Sequence, residues 1–127
     1  MSDNPKPIEF HAGDGRPLDF TIYDEDPLDP GMPDLTKPVD LSAASAIRFA
    51  IALAVTSAAI FEKTLGSGIA VLTGPEAVDN VVRVTLAKGD TKDLTPGRLY
   101  YELEVIEGGD DWTGPHGLFR LHASLLR

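Results

Sequence analysis

Three histidines, His11, His116 and His122, are the side chains of this 127-residue chain most suited to moving a proton near neutral pH or binding a borderline metal. None falls in an HExxH spacing, and no cysteine is present to complete a zinc site or serve as a thiol nucleophile. His11 and His122 fall in predicted strands, where an exposed or hydrogen-bonded histidine is the ordinary case. No GxSxG elbow, GxGxxG turn or Walker-type loop occurs, and Gly13-Asp14-Gly15 is only a turn signal. Hard oxygen ligands are more concentrated. Asp24, Glu25, Asp26, Asp29 and Asp34 have the chemistry to hold calcium. Their spacing lacks the glycine and the glutamate that an EF-hand loop requires, and the prolines among them restrict wrapping. A solvated acidic loop is the default reading. The expectation is therefore a protein without catalytic residues, without a bound metal and without a cofactor.

The remaining candidates suit recognition of another protein. Pro27, Pro30, Pro33 and Pro38 lie within the acidic segment 24–40. Prolines remove backbone donors and oppose regular pairing, so the segment reads as a long surface loop. It fits a partner-binding loop and an idle insertion equally. As a contact it would offer Asp26 and Asp29 to a basic patch, and Met32 and Leu35 as apolar anchors. Proline stiffening lowers the entropy lost when such a loop is fixed. A second candidate is the strip Ala50, Ala52 and Ala54, whose small side chains let a neighbouring surface lie close. The third is Trp112, the sole tryptophan, placed beside a turn by Asp110-Asp111 and Thr113-Gly114-Pro115. Tryptophan is enriched at binding hot spots. The competing reading folds it back over the open end of the core.

These residues need a scaffold, and the pattern of apolar residues predicts one made of strands. Ile47, Phe49, Ile51, Leu53 and Val55 occupy alternate positions, a period of two that marks a strand. Eight alanines between Leu41 and Leu65 favour helix on propensity, which keeps a buried helix as the alternative there. Ala59 to Thr64 is expected to pair with this strand, after which Gly66-Ser67-Gly68 turns the chain. Further strands are predicted at Ile8–His11, Leu18–Tyr23, Ile69–Leu72, Asn80–Lys88, Leu99–Ile106 and Gly117–Leu126. Asp90 is expected to cap the amides that follow it in the connection ending at Pro96-Gly97. The predicted core comprises Phe20, Phe49, Ile51, Leu53, Val84, Leu86, Tyr101 and Leu103. Short strands with turn signals near every tenth residue suggest an antiparallel sandwich or barrel spanning residues 1–127 as a single domain.

Charge narrows the class of partner. Twenty acidic residues against eleven basic ones give a formal net charge of -9. A nucleic-acid partner is disfavoured, because phosphate neutralisation needs clustered Lys and Arg. An anionic membrane surface is disfavoured for the same reason. The longest apolar run, Phe49 to Phe61, is shorter than the roughly 20 residues needed to cross a bilayer. Met1-Ser2-Asp3-Asn4-Pro5 has no apolar stretch behind a basic start, so no signal peptide is expected.

Taken in order, several segments resemble the small immunoglobulin-like domains of tailed-bacteriophage structural proteins, in particular the N-terminal domain of phage baseplate upper proteins. The matching pieces are Pro38-Val39-Asp40-Leu41-Ser42, Gly66-Ser67-Gly68-Ile69 and Val82-Arg83-Val84-Thr85-Leu86. They continue with Asp90-Thr91, Leu94-Thr95-Pro96-Gly97, Leu99-Tyr100-Tyr101-Glu102-Leu103 and Gly117-Leu118-Phe119-Arg120-Leu121. The resemblance implies an immunoglobulin-like β-sandwich of about seven to eight strands. It also implies a virion protein made in the host cytoplasm, with no enzyme activity and no cofactor. Its partners would be other virion structural proteins and further copies of itself, in the tail, baseplate or fibre attachment. The family domain is usually joined to further fibre or receptor-binding regions, and the acidic loop here is longer than the family pattern. Capsid decoration and a carbohydrate- or receptor-binding module therefore stay open beside the tail reading.

Overall fold

The computed structural model describes residues 7–25, 28, 33–54 and 57–123. The chain is all-β. In order, its elements are β1 (Ile8–His11), β2 (Arg16–Thr21), β3 (Tyr23–Glu25), β4 (Pro33–Pro38), β5 (Ala46–Ala52), β6 (Ala59–Leu65), β7 (Gly68–Leu72), β8 (Val81–Leu86), the single-turn α1 (Lys88–Thr91), β9 (Gly97–Glu107) and β10 (Asp110–His122). Eight strands form one sheet in the order β1-β10-β9-β5-β6-β7-β8-β2, and β3 and β4 form a separate pair.

The alternation read from the sequence is the burial pattern of the central strands. Ile47, Phe49 and Ile51 of β5 are buried, as are Leu99, Tyr101, Leu103 and Val105 of β9 and Val82, Val84 and Leu86 of β8. Successive side chains of a strand point to opposite faces, so each such run lines a single side. Burying each large side chain contributes about 1.5–3 kcal/mol. The sheet curls so that its far strands share this core. The Phe20 ring of β2 lies 6.0 Å from that of Phe49 and 5.8 Å from that of Tyr101, centroid to centroid.

Several expectations are corrected. The sheet is mixed, with antiparallel pairing at most positions and parallel pairing of β1 with β10 and of β6 with β7. Gly66 and Gly68, at φ 86° and 96°, coil the chain through a tight loop that does not reverse it. Thr64 therefore faces Gly68, and Leu65 faces Ile69, in parallel register. Leu53 is not a core residue. β5 ends at Ala52, and Leu53 stands 67% exposed at the rim of the sheet. Phe20 is half-buried, packed against the core cluster. The segment 24–40 is not wholly irregular, because β3 and β4 pair antiparallel with Tyr23 opposite Pro38 and Glu25 opposite Pro33. Pro33 and Pro38 are the two end residues of β4, where a missing N–H costs the ladder least.

Two further corrections concern β8 to β10. Asp90 caps backwards: its Oδ2 accepts from the Ala87 amide at 2.7 Å and pairs with Lys63 Nζ at 2.8 Å. β10 begins at Asp110, well before the predicted Gly117. Its pairing with β9 shifts register between Thr113 and His116, so Gly114-Pro115 is absorbed in a bulge.

Candidate protein interface

The outward face of β6, β5, β9 and β10 is assembled from the strand registers. Ala52 of β5 stands opposite Ala59 of β6 and Tyr100 of β9, and Tyr100 stands opposite Leu118 of β10. These four side chains form an apolar belt across the strands. Ala50 lies next to it along β5, and a shallow groove there is lined by Ala50, Ala52, Ala54, Ser57, Ala59 and Tyr100. Ile60, 38% exposed, sits at the bulge where β6 meets the end of β5.

One side of the belt is acidic. Glu62, Ala50, Glu102 and His116 face one another across the strands in the next row, and Arg48, Glu104 and Thr113 in the row beyond. Arg48 bonds to Glu62, and to Glu104 at 3.2 Å. The hydrogen bond to Glu62 foremost, then the charges of Glu62 and Glu104, favour its guanidinium form. Glu102 accepts from Thr113 Oγ1 at 3.1 Å and has no ion-pair partner among the described residues. The other side of the belt is basic. Arg98 faces Arg120, and Arg120 faces Glu9 of β1 at 3.5 Å. The final row holds His11 and His122, opposite each other with ring centroids 5.3 Å apart. His122 Nε2 lies 3.1 Å from Glu9. Among the described residues Arg98 also lacks an ion-pair partner.

The residues singled out from sequence are thus partly brought together. Ala50, Ala52 and Ala54 line one groove, although Ala54 lies past the end of β5 rather than on the strand. Leu35 lies on β4, outside the eight-stranded sheet, and is 65% exposed. Trp112 lies in β10 rather than in a turn, opposite Val105, half-buried and packed on the core cluster. That position fits the reading in which it covers the core. Asp26, Asp29 and Met32 lie outside the described residues.

Sequence reasoning missed Arg98, Tyr100, Glu102 and Leu118 as parts of this face. A signal existed: Tyr100 and Glu102 occupy the outward phase of the alternation Leu99, Tyr101, Leu103, Val105. Among the described residues no group of three or more His, Cys, Asp or Glu side chains is arranged to hold a metal ion. No known protein-family model and no curated protein matches the chain.

Proposed function

We propose that this chain is a non-enzymatic assembly domain of a tailed-phage particle that works through protein–protein contacts on the outward face of β6, β5, β9 and β10. One observation carries the interface reading: that face bears a continuous apolar belt, Ala59-Ala52-Tyr100-Leu118, flanked by charged rows. An aromatic among small residues with a polar surround is the composition that protein interfaces use. The opposite face of β5, β9 and β10 is already used by the core.

The same reading takes the fold as an immunoglobulin-like sandwich. β1-β10-β9-β5-β6 would form one layer and β7-β8-β2 the other. The contact of β6 with β7 at only two register positions supports this division, as does the reach of Phe20 across to Phe49 and Tyr101. The virion setting is supported by the sequence resemblance, and the tail or baseplate is the placement it favours.

A test follows from the belt. Ala52→Arg puts a long charged side chain at its centre without touching the core. The variant should fold, by far-ultraviolet circular dichroism and thermal melting, and be missing from purified particles by quantitative mass spectrometry. A folded variant incorporated at the wild-type copy number would overturn the interface reading. Absence of the wild-type chain from purified particles would overturn the virion setting.

A further inference from the structure

We infer that the outward face of β6, β5, β9 and β10 binds a second copy of this chain through a two-fold axis that crosses the strands at Tyr100. This rests on the reading of that face as a protein interface and names its partner.

Charge along β9 is antisymmetric about Tyr100. Arg98, Tyr100 and Glu102 are successive outward residues of this strand. Arg98 and Glu102 are both exposed, and neither has an ion-pair partner among the described residues. They are opposite in sign and equidistant in sequence from Tyr100. The pattern extends across the sheet. Glu62 and Glu104, bridged by Arg48, lie on the Glu102 side, whereas Arg120 lies opposite Arg98 on the other.

Two sheets stacked face to face can be related by a two-fold axis lying in the plane between them. An axis parallel to the strands would set each charged row against a row of like sign. An axis across the strands reverses the row order about the belt. Arg98 of one copy then faces Glu102 of the other, and the exchange occurs twice. Tyr100 meets Tyr100 at the centre, where Ala52 and Ala50 leave room for a ring. Such an isologous contact is self-complementary and closes at two copies. Like charges brought together disfavour other registers, so the pattern selects one orientation.

Size is compatible. Four strands at about 4.8 Å spacing and about five outward residues deep present on the order of 600 Å². A specific pair buries roughly 800 Å² on each partner, so the contact belongs to the weaker, reversible class.

Charge reversal separates this geometry from any general stickiness. The measurements are sedimentation equilibrium and light scattering of the full chain between about 10 and 500 µM, the range in which a weak pair is read. The wild type should dimerise. Arg98→Glu alone should set a new carboxylate against Glu102 of the other copy and weaken dimerisation about tenfold or more, and Glu102→Arg alone should do the same with two guanidinium groups. An equimolar mixture of the two single variants should dimerise again, as should the double variant R98E/E102R, each within about threefold of wild type. A monomeric wild type throughout this range would overturn the inference, as would single variants that dimerise like wild type. Failure of the mixture to recover would overturn it too. If the wild type is monomeric yet Ala52→Arg is excluded from particles, this inference falls and the interface reading stands. If the reversal pattern holds but the chain is absent from particles, the virion setting falls and the dimer stands.

Discussion

At the scale of single residues, Asn80 shows how one side chain fixes a loop. Its backbone carbonyl accepts from the Ile22 amide at 2.8 Å, and its side-chain Nδ2 donates to the Ile22 carbonyl at 3.1 Å. The residue is fully buried. Gly74 lies against it because nothing larger fits: a Cβ there would be 2.1 Å from Asn80 Oδ1 and 3.3 Å from Val81 Cγ2. Asn80 cannot swing aside without giving up Ile22, and the Gly74 amide is itself bonded to the Val78 carbonyl at 2.8 Å. Gly74→Ala should therefore lower stability by about 2–3 kcal/mol, read from the urea midpoint. Gly89→Ala is the control, since a Cβ at Gly89 meets nothing within 4 Å. It should fall within about 0.5 kcal/mol of wild type. A Gly74→Ala variant as stable as the control would show that the loop yields freely.

Polar pairs on the surface act more weakly. Arg83 Nε and Nη2 meet the two carboxylate oxygens of Asp19 at 2.8 and 2.9 Å. The Arg83 hydrogen bonds hold the Asp19 carboxyl below its ordinary pKa against the opposing effect of burial. A carboxyl depressed in the folded state stabilises above its unfolded pKa, and that contribution is lost as pH falls through the folded value. Both side chains are more than two-fifths exposed, so solvent screening keeps the contribution small. The pair fixes the β2–β8 register more than it raises stability, since Asp19 and Arg83 face each other across the ladder.

At the scale of elements, β5 separates burial from alternation. Ile51 and Leu53 belong to one apolar pattern in the sequence, yet Ile51 is fully buried and Leu53 is 67% exposed. Ile51→Ala should cost about 2–5 kcal/mol through lost packing and the cavity left behind. Leu53→Ala should change stability by less than about 0.5 kcal/mol. Thermal and urea unfolding of the two variants side by side would check this, and equal losses would return Leu53 to the core.

The same contrast marks what could be read in the chain beforehand. Alternation is local, so the buried phases of β5, β8 and β9 were legible, as was the grouping of Ala50 and Ala52 on the other phase of β5. Where a strand stops is set by what it packs against, which the pattern of Ile47 to Val55 does not encode. The parallel pairing of Ile8–His11 with Phe119–His122 joins residues more than a hundred positions apart, and no local signal reports it. Gly114-Pro115 reads as a break but is absorbed by a bulge, because a bulged residue needs no ladder partner. The outward face suffered most: Arg98, Tyr100 and Glu102 are ordinary surface residues until cross-strand register sets them beside Arg120, Leu118 and Ala50.

At the scale of the whole molecule, the two ends of the eight-stranded sheet are joined by four residues. β1 and β2 are the terminal strands in the sheet order, yet only Ala12–Gly15 separate them in sequence. That connection is held in place by distant elements. The Ala12 amide donates to the His122 carbonyl at 2.9 Å, and Arg16 Nη2 donates to the Glu9 carbonyl at 2.7 Å while its guanidinium carbon lies 4.6 Å over the Phe10 ring. The Gly13 amide donates to Thr91 Oγ1 at 3.0 Å, where both residues are buried. Thr91 closes α1, the single turn between β8 and β9, so this one hydroxyl ties the chain's first connection to the crossover between the two halves of the sheet. Thr91→Val keeps the shape of the side chain and removes the acceptor, leaving a buried N–H without a partner. The cost of such an orphaned donor is about 1–3 kcal/mol. Thr91→Ser retains the hydroxyl and loses only a methyl group, so it should cost about 1 kcal/mol or less. Urea unfolding should place Thr91→Val clearly below Thr91→Ser, with the same dependence on denaturant in both, because the surface exposed on unfolding is unchanged. Amide hydrogen exchange should show lost protection at Gly13 in the valine variant and retained protection in the serine variant. The opposite order of stabilities would mean that packing of the methyl group, and not the hydrogen bond to Gly13, is what holds the two ends of the sheet together.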